Sequence, residues 1–285
     1  MSRIAYVNGR YRPLSEPLIA VEDRGFQFAD AVYEVWGVRA GALLDEAAHF
    51  ARLRRSLGEL KIAAPAGEKA LGLVLRETLR RNRVRDGLVY LQISRGAAPR
   101  DHAFPEPAPP ATIVVTAHTI PAETFAARAT GVSVITLPEM RWARCDIKTV
   151  GLTANVLAKE AAHAAGAGEV WFLDPDGTVI EGASSNAWIV DADGRLRTRP
   201  LSNALLHGVT RAAFIRIAQA MQIAFDERAF TITEALAARE AFISSATNVA
   251  TPVLCIDGCA IGAGAPGPVA QALRDAYFGA AAPAA

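Results

Sequence analysis

The chain has 285 residues, 51% of them hydrophobic, and a formal net charge of +1. This composition provides enough apolar surface for one large core or two smaller ones, and the balanced charge argues against nucleic acid as a partner. No apolar run approaches the length of a membrane span, and residues 1–9 become polar too early for a signal peptide. An odd number of cysteines without metal-binding spacing fits a reducing compartment. We therefore expect a cytoplasmic protein with no membrane or nucleic-acid partner and no metal.

The first part of the chain predicts strands and helices of a mixed domain. Asn8-Gly9 is a strong signal for a tight turn between two strands. Apolar residues at helical spacing predict two helices, and the proline-rich loop 99–110 excludes a helix there. The predicted elements are strands at 4–7, 10–12 and 31–38, helices at about 46–60 and 68–81, and strands at 88–94 and 112–117.

After Pro121 the chain predicts a second series of elements. Asp176-Gly177 and Asp193-Gly194 signal hairpin turns. The predicted elements are strands at 132–137 and 170–173, helices at about 153–165, from 208 onward and at about 268–278, and a frayed tail from Gly279 to Ala285. The prediction is an α+β protein with a small N-terminal domain at 1–120, a larger domain at 121–285 and a linker at about 118–124.

One lysine stands apart from the other basic residues. Lys61, Lys69, Lys148 and Lys159 are the only lysines among 30 basic residues, so a surviving lysine can mark amine chemistry that the always protonated guanidinium of arginine cannot supply. Lys61 follows a helix, and Lys69 and Lys159 occupy polar helical positions. Lys148 lies in a non-helical stretch between a strand and a helix, where loops present catalytic groups. An isolated lysine is usually an ordinary surface residue, but the motifs below favour catalysis.

Residues that suit a pyridoxal-phosphate site occur in other segments of the chain. Glu181 leaves a strand into a small Gly/Ser turn, where a carboxylate can meet a protonated pyridine nitrogen, although a plain turn acid is an equal alternative. The segment Gly208–Arg211 at a helix start offers amides and a hydroxyl for a phosphate. Arg52, one turn after His49, offers a guanidinium fork, although alone each is more often a cap or a solvated face.

A second set of residues suits the carboxylate of a substrate. Arg100 and His102 lie two apart in an extended loop, so their side chains point the same way and can hold one anion. Tyr33, on a predicted strand, can add a hydroxyl. A solvated arginine beside an incidental histidine is the alternative. Cys255 and Cys259 lack a partner pair for a metal and are expected as buried free thiols.

Together these segments resemble the class IV (fold type IV) aminotransferases, and within them the bacterial D-amino acid transaminases. The resemblance covers nearly the whole chain, in ordered motifs. The most specific stretches are Glu22-Asp23-Arg24-Gly25-Phe26-Gln27-Phe28 with Asp30, Val32-Tyr33-Glu34-Val35, Ser94-Arg95-Gly96, Pro99-Arg100-Asp101-His102, Phe104-Pro105-Glu106, Arg141-Trp142-Ala143-Arg144-Cys145-Asp146-Ile147-Lys148, and Glu181-Gly182 with Ser184-Ser185-Asn186.

The resemblance implies a fold, a cofactor and roles for residues. It implies a larger domain with a β-barrel-like core that binds pyridoxal 5'-phosphate, with Lys148 as the Schiff-base lysine that also moves the substrate proton. It implies a homodimer in which the loop with Arg100 and His102 reaches into the neighbouring subunit. The other implied roles are Glu181 on the pyridine nitrogen, Leu206 on the ring, Arg52, Val209 and Thr210 on the phosphate, and Tyr33 with Arg100 and His102 on the substrate carboxylate.

The sequence departs from the family at one phosphate position. The family commonly places a threonine there, in the turn before a late strand, whereas this chain has Ala246. Ser245 and Thr247, on either side of it, are the expected replacement donors.

Several functions remain open on the sequence alone. The expected one is a ping-pong transfer of an amino group from a D-amino acid to a 2-oxo acid. Alternatives on the same fold are a branched-chain L-amino acid transaminase, an (R)-amine transaminase and an aminodeoxychorismate-type lyase. A cofactor-free interaction protein is the non-enzymatic alternative.

Overall fold

The computed structural model describes residues 3–16 and 19–280. The chain divides into two compact units, one of Met1–Pro121 with Ile147–Gly151, and one of Ala122–Asp146 with Leu152–Ala285. The short segment that holds Lys148 therefore belongs with the first unit, although the chain on both sides of it belongs with the second. Sequence reasoning did not anticipate this.

The first unit consists of a sheet with two long helices packed against it. Its elements are β1 (Ile4–Val7), β2 (Arg10–Pro13), α1 (Arg24–Phe28), β3 (Ala31–Arg39), β4 (Ala42–Leu43), α2 (Glu46–Glu59), α3 (Glu68–Asn82), β5 (Gly87–Ser94) and β6 (Thr112–Thr119). Within the described residues the sheet has six antiparallel strands in the order β2-β1-β6-β5-β3-β4. Asn8 and Gly9 take φ angles of 46° and 90° in the first turn, as a two-residue hairpin requires.

Strand alternation gives this sheet its core face. Val32, Trp36 and Val38 of β3 are buried in one cluster with the apolar stripes of α2 and α3, because residues two apart point to the same face. Glu34 occupies the same face between Val32 and Trp36 and is 0% exposed. A carboxylate at a core position needs a charged partner, and α2 provides it.

The second unit is built around a mixed sheet. Its elements are α4 (Ala122–Thr130), β7 (Val132–Pro138), α5 (Thr153–Ala164), β8 (Glu169–Leu173), β9 (Val179–Gly182), β10 (Asn186–Val190), β11 (Leu196–Arg197), α6 (Val209–Ala220), β12 (Phe225–Asp226), α7 (Ile232–Leu236), β13 (Glu240–Ser244), β14 (Thr251–Ile256), β15 (Cys259–Ala260) and α8 (Pro268–Ala280). The described strands form a curled sheet in the order β12-β11-β10-β13-β14-β7-β8-β9, with β15 paired to β14. β7 pairs in parallel with both β14 and β8.

The fold class expected from the sequence is confirmed, but three helices, α1, α4 and α7, and several strands of the second unit, among them β12, β13 and β15, were missed. Helix α4 spans only nine residues, none of them buried, which is too short for a periodic signal. Helices α1 and α7 span one turn or little more, which is too short for a periodic signal. The last helix continues to Ala280, and the rest of the expected tail, 281–285, lies outside the described residues. Across the described parts of the chain, no helix combines the length and apolarity needed to cross a membrane.

Candidate active site

The segment that carries Lys148 is held by backbone pairing with β3. The Lys148 carbonyl accepts from the Tyr33 amide at 3.0 Å, and the Val150 amide donates to the Ala31 carbonyl at 3.2 Å. The Lys148 amide lies 3.3 Å from the hydroxyl of Ser56, a buried residue of α2. These bonds hold the backbone at Lys148 in place, although the segment forms no helix or strand of its own.

The Lys148 amine lies over an aromatic ring of the same unit. Its Nζ is 4.1 Å from the centroid of the Tyr33 ring, and Tyr33 stacks on Tyr90 with centroids 5.5 Å apart. A cation over a ring face is attracted by the ring quadrupole. The sequence-predicted residues Lys148 and Tyr33 are therefore neighbours.

Arg52 is held by a buried carboxylate that sequence reasoning missed. Its Nε and Nη2 donate to the two oxygens of Glu34 at 2.6 and 2.9 Å, and His49 Nδ1 lies 2.8 Å from Glu34. Despite complete burial, the arginine holds the pKa of Glu34 at about 2. The signal in the sequence was a charged residue at a core-facing position of β3, where only a paired charge is tolerated.

Glu181 is the centre of a hydrogen-bond cluster in the second unit. One oxygen accepts from Arg141 Nη1 at 2.5 Å and from the Leu206 amide at 3.1 Å, and the other accepts from Asn186 Nδ2 at 3.0 Å. Arg141 is also paired with Glu139. The structure thus brings together Glu181 and Leu206, two residues expected from the sequence, and adds Arg141 and Asn186, which sequence reasoning quoted only as family motifs.

Burial dominates the electrostatics of Glu181. It raises the pKa of the carboxyl to about 7, although Arg141 beside it acts in the opposite direction. A nearby cation stabilises the ionised form of a carboxyl group and so lowers its pKa. A buried carboxyl group with a raised pKa therefore interacts favourably with an additional cation. Glu181 is therefore suited to face a protonated ring nitrogen.

The start of helix α6 presents donors that lack an acceptor. Val209 and Thr210 form its first turn, whose amides have no partner within the helix. The Thr210 Oγ1 is buried and makes no hydrogen bond within the described chain. Such a buried orphan needs an acceptor from a ligand or water. Gly208 precedes the helix because any Cβ there would lie 1.9 Å from the Asn186 Oδ1.

The turn between β13 and β14 contains the departure at Ala246. Ser245 Oγ accepts from the amides of Thr247 and Asn248 at 3.4 and 3.0 Å, so it stabilises its own turn. It lies 3.5 Å from the Thr247 hydroxyl. The two expected replacement donors are therefore adjacent, on a turn that Arg128 also holds through the Thr247 carbonyl at 2.7 Å.

Arg100 and His102 share one neighbour in the first unit. The Arg100 guanidinium carbon is 5.0 Å from the centre of the Phe28 ring, and the His102 ring is 5.3 Å from it. Both side chains are exposed. The pair expected from the sequence thus projects together from one loop.

The remaining lysines and two cysteines have ordinary surroundings. Lys159 Nζ donates to the Gly168 carbonyl at 2.6 Å and pairs with Glu169, while Lys61 and Lys69 are exposed. Cys255 and Cys259 are free thiols. The expectation that both are buried was wrong: Cys255 is half-buried, and Cys259 is exposed on the short strand β15.

Comparisons with known proteins give the family. Residues 31–256 match the model of the Amino-transferase class IV family. The D-alanine aminotransferase of Bacillus licheniformis is 40% identical over 270 residues, covering 94% of each chain. That of Staphylococcus haemolyticus is 36% identical over 272 residues, covering 95% of each.

Solved structures agree with this assignment. The T.th. branched-chain amino acid aminotransferase with pyridoxamine 5'-phosphate superposes with a TM-score of 0.87 and 29% identity, covering 98% of this chain and 94% of that one. The branched-chain amino acid aminotransferase of Escherichia coli has the same TM-score and coverage at 23% identity, which shows the fold alone. The family and the fold expected from the sequence are confirmed: the chain belongs to the class IV aminotransferases, enzymes that use pyridoxal 5'-phosphate.

Proposed function

We propose that this aminotransferase moves an amino group from a D-amino acid, such as D-alanine, to a 2-oxo acid, such as 2-oxoglutarate, in a ping-pong cycle. The observation that carries the proposal is the joint projection of Arg100 and His102 from one loop, beside Phe28, which suits an α-carboxylate. Near full-length relatives named D-alanine aminotransferase support it.

The residues present fit pyridoxal 5'-phosphate. Its phosphate needs buried donors, and the Thr210 hydroxyl is buried without a partner among the described residues. Its ring nitrogen needs a buried carboxylate, and Glu181 is 3% exposed. Its aldehyde needs an amine, and Lys148 is half-buried on a loop. When bound, the cofactor supplies an electron sink for the substrate carbanion.

Each remaining site residue has a proposed role in binding or proton transfer. Lys148 is the residue that would hold the cofactor through its amine, and the same amine would move the proton at the substrate Cα. Glu181 would face the ring nitrogen and favour its protonated form, and Leu206, whose amide donates to Glu181, would contact the ring. The residues proposed to hold the cofactor phosphate are Arg52, Val209, Thr210, Ser245 and Thr247. Tyr33, Arg100 and His102 bind the substrate carboxylate.

The assembly and location are part of the same proposal. The enzyme is a cytoplasmic homodimer, and its larger domain, about 121–285, binds most of the cofactor. Sedimentation of the purified holoenzyme measures the assembly, and a monomer at assay concentration would contradict it.

A chiral screen of amino donors with 2-oxoglutarate as acceptor tests the function. D-Alanine and other D-amino acids are expected to react, and their L-enantiomers are not. A preference for branched-chain L-amino acids, the second candidate and the activity named for the similar solved structures, would overturn the proposal. So would turnover of amines alone, or pyruvate release without an amino acceptor.

Replacing Arg100 by alanine is expected to weaken only substrates that carry an α-carboxylate. Loss of a charge-assisted pair costs about 2–5 kcal/mol when the substrate carboxylate is left buried and unpaired. Steady-state kinetics with D-alanine and with an amine of similar size that lacks the carboxylate measure the difference. An equal loss for both substrates would make Arg100 structural.

Replacing Ala246 by threonine is expected to improve retention of the amine form of the cofactor. In that form Lys148 no longer holds the cofactor covalently, so the phosphate contacts carry more of the binding. One added hydrogen bond contributes about 0.5–1.5 kcal/mol. The upper end of this range corresponds to a roughly tenfold lower dissociation constant for the amine form. Desalting after incubation with D-donor and no acceptor measures the loss. Equal retention by the native protein and the variant would mean that Ser245 and Thr247 already suffice.

A further inference from the structure

Two buried arginines of the first unit share one carboxylate. Asp30 Oδ2 accepts from Arg24 Nε at 2.9 Å and from Arg95 Nε at 2.7 Å, and its Oδ1 accepts from Arg95 Nη2 at 2.9 Å. The side chains of Arg24, Arg95 and Asp30 are only 4%, 8% and 12% exposed. This Asp30 cluster, defined as Arg24, Asp30 and Arg95, has no role in the steps assigned above.

Arg24 connects the cluster to the loop that carries Arg100 and His102. Its Nη1 donates to the Asp101 carbonyl at 2.6 Å and its Nη2 to the His102 carbonyl at 3.3 Å. Its guanidinium also lies 4.9 Å from the Phe28 ring, the ring that Arg100 and His102 adjoin. One planar fork therefore holds the backbone of the loop while its Nε is fixed by Asp30.

The base of the same loop is paired with the backbone next to Arg24. The Arg24 amide donates to the Gly96 carbonyl at 2.9 Å, and the Ala98 amide donates to the Glu22 carbonyl at 3.2 Å. The loop leaves this pairing at Pro99 and then reaches the Arg24 side chain. It is thus tied to residues 22–24 at two places, once by backbone and once by guanidinium.

Arg95 connects the cluster to the end of helix α2. Its Nη1 and Nη2 donate to the carbonyls of Lys61 and Leu60 at 2.9 and 2.7 Å, which satisfies acceptors that a helix end leaves open. Its guanidinium lies 3.7 Å from the Phe104 ring. The two arginines together link the loop 99–104 to the helix that bears Arg52.

We propose that Arg24, Asp30 and Arg95 are positioning residues for Arg100 and His102, the pair proposed above to bind the substrate carboxylate. Asp30 orients the guanidinium groups of both arginines, and these groups fix the loop so that Arg100 and His102 meet a substrate carboxylate together. The inference rests on the proposed function. A lysine cannot replace either arginine, because a single ammonium group cannot reach Asp30 and two carbonyls in one plane.

The test is Arg24→Lys, which keeps the charge and removes the fork. The KM for D-alanine and for 2-oxoglutarate is expected to rise at least tenfold, with kcat within about threefold, because uniform substrate binding is lost. An amine without a carboxylate should show an unchanged KM. Arg80→Lys, on an exposed ion pair of α3, is the matched control. Equal effects on both substrate classes would overturn the proposal.

A double variant separates positioning from general structural support. In an Arg100→Ala background, Arg24→Lys is expected to change the KM for D-alanine less than threefold, since residues that act through one another are not additive. Full additivity would overturn the proposal. Should Arg24→Lys fail to fold, Asp30→Asn carries the same comparison, because it leaves the Arg24 fork in place but removes its anchor.

Tryptic cleavage after Arg100 gives a readout that does not depend on activity. Arg24→Lys is expected to speed the appearance of fragments 1–100 and 101–285 at least fivefold over wild type and Arg80→Lys, since a loosened loop is cut faster. An unchanged rate would overturn the positioning role. A wild-type enzyme that turns over no D-amino acid would instead refute the proposed function, and the cleavage rates would still decide whether the cluster holds the loop.

Discussion

Replacing Lys148 by alanine is expected to abolish transamination, with turnover reduced by about 10²–10⁴-fold or more, the usual contribution of a positioned acid–base group. The variant should also lose the visible absorption of the cofactor bound to lysine. The reason is positional. Lys148 is fixed by backbone bonds to β3 with its amine over Tyr33, whereas Lys61 and Lys69 are exposed and Lys159 is paired with Glu169.

Borohydride reduction followed by peptide mapping checks this assignment directly. The label should appear at Lys148 in the wild type and be absent in the alanine variant. Lys69→Ala, a substitution on the exposed face of α3, serves as control and should keep full activity. Label at Lys61, Lys69 or Lys159 would refute the role of Lys148.

Glu181→Gln is expected to leave cofactor bound but to slow the half-reaction with D-alanine by about 10²–10³-fold, the scale seen when one preorganised electrostatic group is removed from an active site. Glutamine can keep the contacts with Leu206 and Arg141 only in part, and it no longer favours a protonated ring nitrogen. Single-turnover absorption spectra measure the rate. A near-normal rate would mean that another group faces that nitrogen.

The pH dependence of cofactor affinity provides a second measurement on Glu181. Burial raises the pKa of this carboxyl to about 7 in the protein without cofactor, and a cationic ring would lower it. When the pKa of a group falls on binding, that group strengthens binding at pH values above its pKa in the cofactor-free protein. This contribution to affinity is lost as the pH falls below that pKa. Wild-type affinity should therefore drop, relative to Glu181→Gln, as the pH falls below about 7. A constant ratio of the two dissociation constants between pH 5 and 8 would contradict this.

Local patterns in the sequence predicted most of the elements and the identity of the main candidate residues. Asn8-Gly9, the apolar stripe of α2 and the alternation of β3 each encode their structure within a few residues, and the scarcity of lysine singled out Lys148. What the sequence could not give was pairing over long separations. Arg141 and Glu181 are 40 residues apart, and Arg24 contacts the His102 carbonyl 78 residues away. The hydrophobic periodicity of a sequence predicts local helices and strands, but it does not indicate which distant residues will pair.

One such pair did leave a signal in the sequence, although sequence reasoning missed it. Glu34 lies in an otherwise apolar alternation, and a charge there demands an opposite charge. Helix α2 carries Arg52 and His49 on its buried side, so the pair follows once the strand and helix pack together. The return of Ile147–Gly151 to the first unit had no comparable signal, because the segment forms no helix or strand of its own.

That return limits how the protein can be dissected. A fragment ending at Pro121 would omit Ile147–Gly151, and so the Tyr33 amide and the Ala31 carbonyl would lose the partners they have in the intact chain. The complementary fragment would carry Lys148 with nothing of β3 to pair with. Truncations, circular permutations and chimaeras between relatives should therefore keep residues 147–151 together with the N-terminal unit, because cutting at the apparent linker separates Lys148 from the strand that holds it.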